Sequence, residues 1–416
     1  MIKRLVLVSC MLFVLIASAQ EGTSSPYSFY GIGESRFKGT AENRAIGGIS
    51  SIPDSIHLNL QNPSFYSQLK FTTFTVGATY QTTKLQSAAE ESKARRTTLD
   101  YLAVAFPIGK FGAGFGLMPF TSVGYKIKTA ATAEDPISRK YTGTGGINKV
   151  FFGAGYEISK HLHIGAEFDY YFGNIETDAV YSITDVQLGT RESNESAING
   201  AGLSTGISYR NKLNSKLSYF ASAAFSTPTT LSLGNTRKIA TVQFLATGGI
   251  RPVDEEDVPV ADTKSKIPAK FTFGTGIGQD NKWMLAAEIT TIHNQDLDNR
   301  FADIENSEFE NSVRYAIGGF YIPNYNSFSS YFSRITYRAG FRYENTGLVL
   351  NDQSIKDYAV TAGLGLPLGG FFSSINASFE YGKRGTTSYG LLQENYASFS
   401  LSLSFNDRWF VKRRFD

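Results

Sequence analysis

The amino-acid sequence predicts an all-β fold, a transmembrane antiparallel β-barrel of about 14 strands with an N-terminal plug segment in its lumen. Three observations lead to this prediction. Apolar and polar residues alternate in many separate stretches, as they do in strands with two different faces. Short and long connections alternate between those stretches. The chain contains 32 Phe, 23 Tyr and 40 Gly, a composition typical of strands that curve through a lipid bilayer.

The first 19 residues predict export from the cytoplasm. Lys3 and Arg4 form a basic start, an apolar run follows to Ile16, and Ala17-Ser18-Ala19 is a small-residue cleavage signal. The apolar run is shorter than the roughly 20 residues that a membrane-spanning helix needs. Residues 1–19 are therefore expected to be a signal peptide.

The mature chain offers little for redox, metal or nucleic-acid chemistry. Cys10 is the only cysteine and lies in the signal peptide, so disulfides and thiolate sites are excluded. Loss of Lys3 and Arg4 takes two positive charges from the formal net charge of +3 and leaves +1, which argues against a nucleic-acid partner. The four histidines show no three-ligand spacing, so no metal and no cofactor are predicted. No nucleophile motif is present, and the prediction is that the protein is not an enzyme.

The stretch from 162 to 173 shows the alternation most clearly. Its even-numbered residues are all apolar, and its odd-numbered residues include His163, Glu167 and Asp169. A soluble sandwich would bury the apolar face, whereas a membrane barrel would turn it toward lipid. In a barrel, Ile164 and Phe168 face lipid and the three polar side chains face the lumen.

The connections between the alternating stretches favour the barrel. Six are short, at 107–109, 159–160, 211–214, 279–281, 323–331 and 367–371. Seven are long and polar, at 83–97, 129–146, 174–197, 227–266, 293–312, 346–354 and 384–394. Short periplasmic turns and long extracellular loops are the usual plan of outer-membrane barrels, with both ends of the chain in the periplasm. Strand-like pieces in the third and fourth long loops leave a count of 16 strands open.

Three segments of the mature chain are expected. Residues 20–66 lack the alternation and are predicted to fold into the lumen as a plug or hatch, because a disordered periplasmic tail would carry fewer apolar side chains. Residues 67–411 are predicted to form the barrel. The basic residues 412–416 are predicted to be a short periplasmic tail.

Charged residues at inward positions are the candidates for a lumenal ligand site. They are Arg334, Arg338, Arg342, Glu288, His163, Glu167 and Asp169. The three arginines share one face of a predicted strand and would hold an anionic head group in their guanidinium forks. The alternative is that these side chains pair with one another and simply fill a narrow barrel. Asn62, Pro63 and Ser64 are read either as a gate or as the plain boundary between plug and wall.

Two stretches resemble a known family. The sequence DSIHLNLQNPSFYS at 54–67 follows a Gly-Gly pair and leads into the first strand, and the hairpin at 266–291 opens with a proline. Both resemble FadL-type outer-membrane transporters, which carry fatty acids and other hydrophobic compounds. The family typically has an Asn-Pro-Ala-like motif where this chain has Asn62-Pro63-Ser64.

The resemblance implies a bacterial outer-membrane location and two alternative functions. One is passive uptake of a hydrophobic small molecule. The other follows from the opening SSPYSFYGIGE and the ending NDRWFVKRRFD, which look like a branch that includes accessory barrels of the type 9 protein-secretion translocon. A member of that branch would be a non-transporting subunit of a larger outer-membrane complex. The expected partners are outer-membrane lipid and either a hydrophobic ligand or such a complex.

Overall fold

Fourteen antiparallel strands form the wall of a closed barrel in the computed structural model, which describes residues 23–88, 90–133, 135–245, 249–297, 307–368 and 373–409. The predicted signal peptide and the basic tail lie outside the described residues. The wall strands are β1 Thr72–Gln86, β2 Glu91–Ile108, β3 Phe111–Thr129, β4 Ile137–Ser159, β5 Leu162–Ile183, β6 Leu188–Lys212, β7 Ser218–Ser226, β8 Lys270–Gln279, β9 Trp283–Ile292, β10 Ser312–Tyr321, β11 Thr336–Leu350, β12 Gln353–Pro367, β13 Ser374–Gly385 and β14 Gln393–Asp407.

The last strand closes the sheet onto the first. β14 pairs with β1 from Gln393 opposite Gln86 to Asp407 opposite Thr72. Closure removes the free sheet edges that would otherwise recruit other strands. The predicted count of 14 strands is confirmed.

Apart from an upper hairpin described below, the remaining regular elements are short. They are the 3₁₀ turns Pro26–Phe29, Pro63–Gln68, Asn294–Asp296 and Phe332–Arg334, the α-helical turn Ala41–Arg44, and the strands Glu34–Ser35 and Ser307–Phe309. Within the described ranges, no helix is long and apolar enough to cross a membrane.

Burial alternates along the strands and separates an apolar exterior from a polar interior. On β5, Ile164 and Phe168 are 40% and 49% exposed, whereas Glu167 and Asp169 are 4% and 1% exposed. The predicted facing of this strand is confirmed. The same outward apolar surface continues around the barrel through Phe115, Phe152, Leu203, Leu285, Phe341, Val360 and Phe399. An apolar band of this extent matches lipid rather than water.

The prediction of seven long loops is wrong for most of the residues involved. β5 continues to Ile183, and β6 begins at Leu188. Only residues 184–187 therefore form a turn, where a loop over 174–197 was expected. These upper strand extensions carry polar residues on both faces because both faces meet water there. The backbone hydrogen bonds between the strands continue there, but the side chains no longer alternate between apolar and polar, so the sequence gives no signal for these strands. The short connections agree better, for example at 109–110 and 160–161.

An upper hairpin rises from the wall above two prolines. We use this name for the strands Thr229–Phe244, Ile250–Val258 and Thr263–Ile267, which continue β7 and β8. Pro228 and Pro268 lie at the same level, since the ladder resumes with Thr229 opposite Ile267. Proline has no N–H to donate, so both strands break there. The hairpin lengthens two wall strands and adds no fifteenth or sixteenth strand to the barrel.

The N-terminal segment, residues 23–71, packs against inward-facing side chains of the wall. Its apolar residues belong to clusters with different parts of the barrel. Ile32 joins Val123 and Ile147, while Ile49 joins Phe220. Burying these side chains removes apolar surface from water and fixes the segment on several sides.

Candidate functional site: the charged lumen

Glu167 and Asp169 share a cation that the sequence analysis did not single out. Lys149 of β4 lies 3.0 Å from a Glu167 oxygen and 2.9 Å from an Asp169 oxygen. The Tyr66 hydroxyl donates to Glu167 at 2.5 Å, and the Ser204 hydroxyl donates to Asp169 at 2.7 Å. Residues two apart on one strand point the same way, so one lysine on the neighbouring strand serves both carboxylates.

His163 does not join these carboxylates. Its Nδ1 lies 2.9 Å from the hydroxyl of Ser67, in the turn that follows Pro63. Glu167 is four residues along the strand, roughly 13 Å away. The structure therefore gives no acid–base cluster built from His163.

Arg342 sits at the centre of the most buried charge cluster. Its side chain is 2% exposed, and Nη2 lies 2.7 Å from Glu380 and 3.5 Å from Asp357. The same nitrogen donates to the Tyr396 hydroxyl at 2.9 Å, and that hydroxyl donates to Asp357 at 2.6 Å. Lys38 of the N-terminal segment reaches Asp357 at 3.4 Å. Two carboxylates of the wall therefore already face the same guanidinium nitrogen.

The other two predicted arginines lie in different surroundings. Arg338 donates to the side-chain oxygen of Asn376 at 3.1 Å. Arg334 is exposed and belongs to the turn that precedes β11, where its guanidinium lies 5.3 Å from the centre of the Tyr331 ring. The expectation that Arg334 shares the inward face is wrong, because β11 begins only at Thr336.

Glu288 is bound by the N-terminal segment. One of its oxygens accepts the Ser50 N–H at 2.8 Å and the Ser50 hydroxyl at 3.0 Å. Arg314 of β10 lies 3.4 Å from the other oxygen. The predicted ligand carboxylate is thus an anchor point for residues 49–51.

Asn62, Pro63 and Ser64 begin a 3₁₀ turn that rests on the wall. The Asn62 side-chain oxygen accepts the Ser64 N–H at 3.0 Å and its hydroxyl at 2.7 Å. Two wall glycines make room for this turn. A Cβ at Gly165 would lie 2.4 Å from Pro63, and one at Gly206 would lie 2.0 Å from the Asn62 oxygen. The motif locks the segment onto β5 and β6.

Charges of the N-terminal segment are the functional residues that sequence reasoning missed. Arg44 donates to Thr79 at 2.8 Å and lies 3.7 Å from Asp100, and Glu42 accepts from Asn376 at 2.7 Å. All of these side chains are buried. Their signal in the sequence is a run of charges inside a glycine-rich stretch without alternation.

His57 forms a latch at the periplasmic mouth. Its Nδ1 lies 2.7 Å from Asp54, and its Nε2 lies 2.9 Å from the hydroxyl of Ser374, the first residue of β13. Burial alone would lower the pKa of His57, but the Asp54 carboxylate outweighs it and raises the pKa, with a smaller effect from Glu42 at 4.0 Å. The order Asp–His–Ser looks like a hydrolase triad, but the raised pKa of His57 favours the protonated imidazole, the form that cannot take a proton from serine.

The wall has a seam between β2 and β3. Their ladder runs from Ile108–Phe111 up to Leu102–Leu117 and stops there. Above that point β3 pairs with the N-terminal strand Glu34–Ser35 instead. From the β2 side, Arg96 lies 3.4 Å from Glu34, and Arg36 donates to Thr98 at 2.8 Å. The N-terminal segment bridges the two strands where their own ladder ends.

Several cations of the lumen are paired with carboxylates. Arg342, Arg384, Arg314 and Lys149 each face at least one carboxylate within 4.0 Å. Within the described residues, no group of three His, Cys, Asp or Glu side chains could hold a metal ion. Chemically, the arrangement ties the segment to the wall by charge-assisted hydrogen bonds.

Comparison with known proteins gives a family and a fold. A family model described as BamG matches residues 1–416. No curated protein sequence matches the chain. Among solved structures, the toluene transporter TbuX of Ralstonia pickettii superposes with a TM-score of 0.61 at 14% identity, covering 88% of this chain and 98% of the transporter. A FadL homologue of Pseudomonas aeruginosa gives 0.60 at 12% identity, covering 91% of this chain and 99% of the homologue.

These likenesses establish the FadL-type barrel fold that the sequence resemblance predicted. The toluene transporter TodX of Pseudomonas putida gives a TM-score of 0.56 at 17% identity over 89% of this chain and 98% of TodX. The matched proteins are described as transporters, not as enzymes. The fold, its apolar exterior and the family together make this chain a barrel of the bacterial outer membrane.

Proposed function

Because this chain belongs to the BamG family, we propose that it is a non-transporting barrel subunit of a larger outer-membrane complex, with the Bam-related role that the family name indicates. Its N-terminal segment acts as a plug that closes the lumen. The barrel serves as a membrane-embedded scaffold for partner subunits and does not conduct a ligand.

The buried cluster around Arg342 carries this proposal. An anionic ligand could bind Nη2 of Arg342 only by displacing Glu380 and Asp357, which lie on β13 and β12. Breaking a buried pair leaves an uncompensated charge and costs about 3–5 kcal/mol. A guanidinium that serves as a ligand site is expected to be free of protein carboxylates, whereas Nη2 of Arg342 already faces two of them.

The choice of complex rests on the family name. The type 9 translocon that the sequence resemblance suggested stays a prediction, and a Bam-type complex is the partner that we propose in its place. In either complex, the partner subunits would bind the surface of this barrel.

Native purification tests the proposal. The tagged protein is extracted from its own membrane with a mild detergent, sized and analysed by mass spectrometry. We expect a stoichiometric complex that contains Bam-type subunits and no hydrophobic small molecule. A monomer that carries a fatty acid or another hydrophobic compound would contradict it.

Uptake of a hydrophobic molecule is the second candidate, and the seam between β2 and β3 favours it. The seam is the place where the wall is held by side chains rather than by a complete ladder. A hydrophobic compound could leave the lumen sideways there if Glu34–Ser35 moved. Cells with and without the protein would then take up toluene and oleate at different rates, whereas the subunit proposal predicts equal rates.

A further inference from the structure

A set of unpaired cations lies on the outer surface of the upper wall. We call Lys93, Arg95, Lys128 and Lys140 the outward basic face. All four are exposed, and within the described chain no carboxylate lies at ion-pair distance from any of them. Lys93 interacts electrostatically with the exposed carboxylate of Glu91, so the described part of the protein balances the positive charge of the face only in part.

Strand parity fixes the direction in which these side chains point. Leu99 is 50% exposed on the lipid-facing side of β2, and Arg95 and Lys93 lie four and six residues further along the same face. On β3, Tyr125 is buried and Lys128 is exposed, so Lys128 points outward. The cations continue the lipid-facing surface upward.

Pairing across strands brings like charges together. Lys128 lies directly opposite Lys140, and Lys84 lies directly opposite Lys93. Directly opposed residues have Cβ atoms about 5 Å apart, and like charges at that distance destabilise a sheet. Lys84 forms an ion pair with Glu91 at 2.8 Å, and the same carboxylate interacts more weakly with Lys93. An external anion would relieve the repulsion between the others.

The height of the cations above the periplasmic turns matches the head groups of the outer leaflet. Arg95 is 13 residues from Ile108 and Lys128 is 17 residues from Phe111. At ~3.3 Å per residue and a strand tilt of about 40°, these positions lie roughly 33 and 43 Å above the turns. The apolar band of such barrels is about 25 Å tall. Arg95 therefore stands just above such a band, and Lys128 stands roughly 10 Å higher, at the level of the phosphorylated sugars of a glycolipid head group.

The upper hairpin differs from the basic face because acidic residues in it have basic partners, such as Lys238 with Glu255 at 3.2 Å. The upper hairpin exposes Asp254, Glu255, Glu256 and Asp257 in a row. The protein as a whole is close to neutral, so the basic face is a local feature and not a consequence of composition. A partner that binds here must be anionic and must lie at the level of the lipid head groups.

We propose that the outward basic face binds the phosphorylated glycolipid of the outer leaflet. The phosphates lie between Lys93 and Arg95 on β2 and Lys128 and Lys140 on β3 and β4, while the acyl chains cover Leu99 and Leu117. Basic clusters at a membrane surface attract anionic lipid with an energy that adds up over the cations. This assignment does not depend on the proposed subunit function.

Native mass spectrometry of the full-length protein tests the assignment. The probes are a deep-rough lipopolysaccharide and its enzymatically dephosphorylated form, each added to protein in detergent. We expect the wild type to bind the phosphorylated probe at least tenfold more tightly than the dephosphorylated one. The quadruple variant Lys93→Gln, Arg95→Gln, Lys128→Gln and Lys140→Gln is expected to lose that preference.

A matched variant controls for total charge. It replaces four exposed lysines at the periplasmic turns, Lys110, Lys212, Lys216 and Lys282, with glutamine. It should retain the wild-type preference, and both variants should migrate as folded barrels on unheated gels. Equal binding by the wild type and the first variant, or equal loss in both variants, overturns the proposal. Loss of an acidic protein partner by the first variant, with glycolipid binding unchanged, assigns the face to that protein and likewise overturns it.

Discussion

Two seams of this barrel are closed in different ways. Between β14 and β1 the backbone ladder is complete from Asp407–Thr72 to Gln393–Gln86. Between β2 and β3 it ends at Leu102–Leu117, and the N-terminal segment takes over above that point through Glu34, Arg36 and Arg96. The first closure joins the two ends of the wall, and the second joins neighbouring strands.

The two seams differ in how far they tolerate substitution of their residues. Backbone ladders form with almost any side chain, so the β14–β1 seam tolerates substitution of individual residues. The upper β2–β3 seam depends on particular charges that are buried, and a buried charge without its partner is costly. The same wall therefore contains one closure set by topology and one set by residue identity.

Proline substitution is expected to have the largest effect. Ser400 of β14 lies opposite Thr79 in the complete ladder. Ser400→Pro should abolish the folded barrel, because proline in a strand paired on both sides removes a ladder hydrogen bond and clashes with the neighbouring backbone. Folded and unfolded protein are separated by their migration on unheated gels.

A matched proline sharpens the contrast. Ala94→Pro lies in β2 above the end of the β2–β3 ladder, where β2 is paired through this ladder only with β1. This variant should still assemble, with a lower unfolding midpoint. If both variants fail equally, the two seams do not differ in the way described.

Removing one carboxylate from the seam between β2 and β3 is expected to have the second-largest effect. Glu34→Gln leaves Arg96 and Arg384, now 3.4 and 2.9 Å from that carboxylate, facing a neutral amide. The free energy of unfolding in detergent should fall by about 3 kcal/mol, since both cations stay buried. Glu308→Gln on the exposed strand Ser307–Phe309 is the control and should change it by less than about 0.5 kcal/mol.

The His57 latch should produce a smaller effect that depends on pH. The pKa of His57 is higher in the folded protein than in the unfolded chain, where it is about 6.5. The imidazole therefore stabilises the folded state fully at pH values below about 6.5, and this stabilisation is lost as the pH rises through the folded-state pKa. Asp54, whose pKa is lowered to about 2 because His57 outweighs its burial, loses its share only in strong acid. Stability should decrease by about 1 kcal/mol between pH 6 and pH 9.

The variant His57→Gln assigns that pH dependence. Over the same pH range, the stability of this variant should decrease by about 1 kcal/mol less than that of the wild type, because the contribution of His57 is gone. An equal decrease in both proteins would place the titrating group elsewhere.

The smallest effect is expected for an exposed pair. Lys84 and Glu91 lie 2.8 Å apart but are 40% and 56% exposed. Lys84→Gln should change the free energy of unfolding by less than about 1 kcal/mol, because solvent screens such pairs. If Lys84→Gln lowered the free energy of unfolding as much as Glu34→Gln, the burial of an ion pair would not determine how much it stabilises the protein.

The sequence predicted those parts of the fold in which one face meets lipid. Ile164 and Phe168 were assigned outward correctly because the bilayer enforces strict alternation. The upper extensions of β5 and β6 were missed, since water on both faces removes that pattern. Strand pairing there is carried by backbone groups, which all residues share.

The candidate site was predicted only in part. Inward position follows from parity, so Arg342 and Glu288 could be found from alternation alone. Their partners could not, because Glu380, Ser50 and Lys149 are distant in the chain and meet only after closure. Arg334 was misplaced because alternation continues by chance into the turn before Thr336.

The enclosed N-terminal segment has a consequence for biogenesis. Residues 23–71 precede β1 in the chain, and they form hydrogen bonds with β1, β5, β9 and β14 on the inside of the finished cylinder. These strands come together on all sides of the segment only when the wall is complete. The packing of the residues synthesised first is therefore coupled to the joining of the last strand to the first.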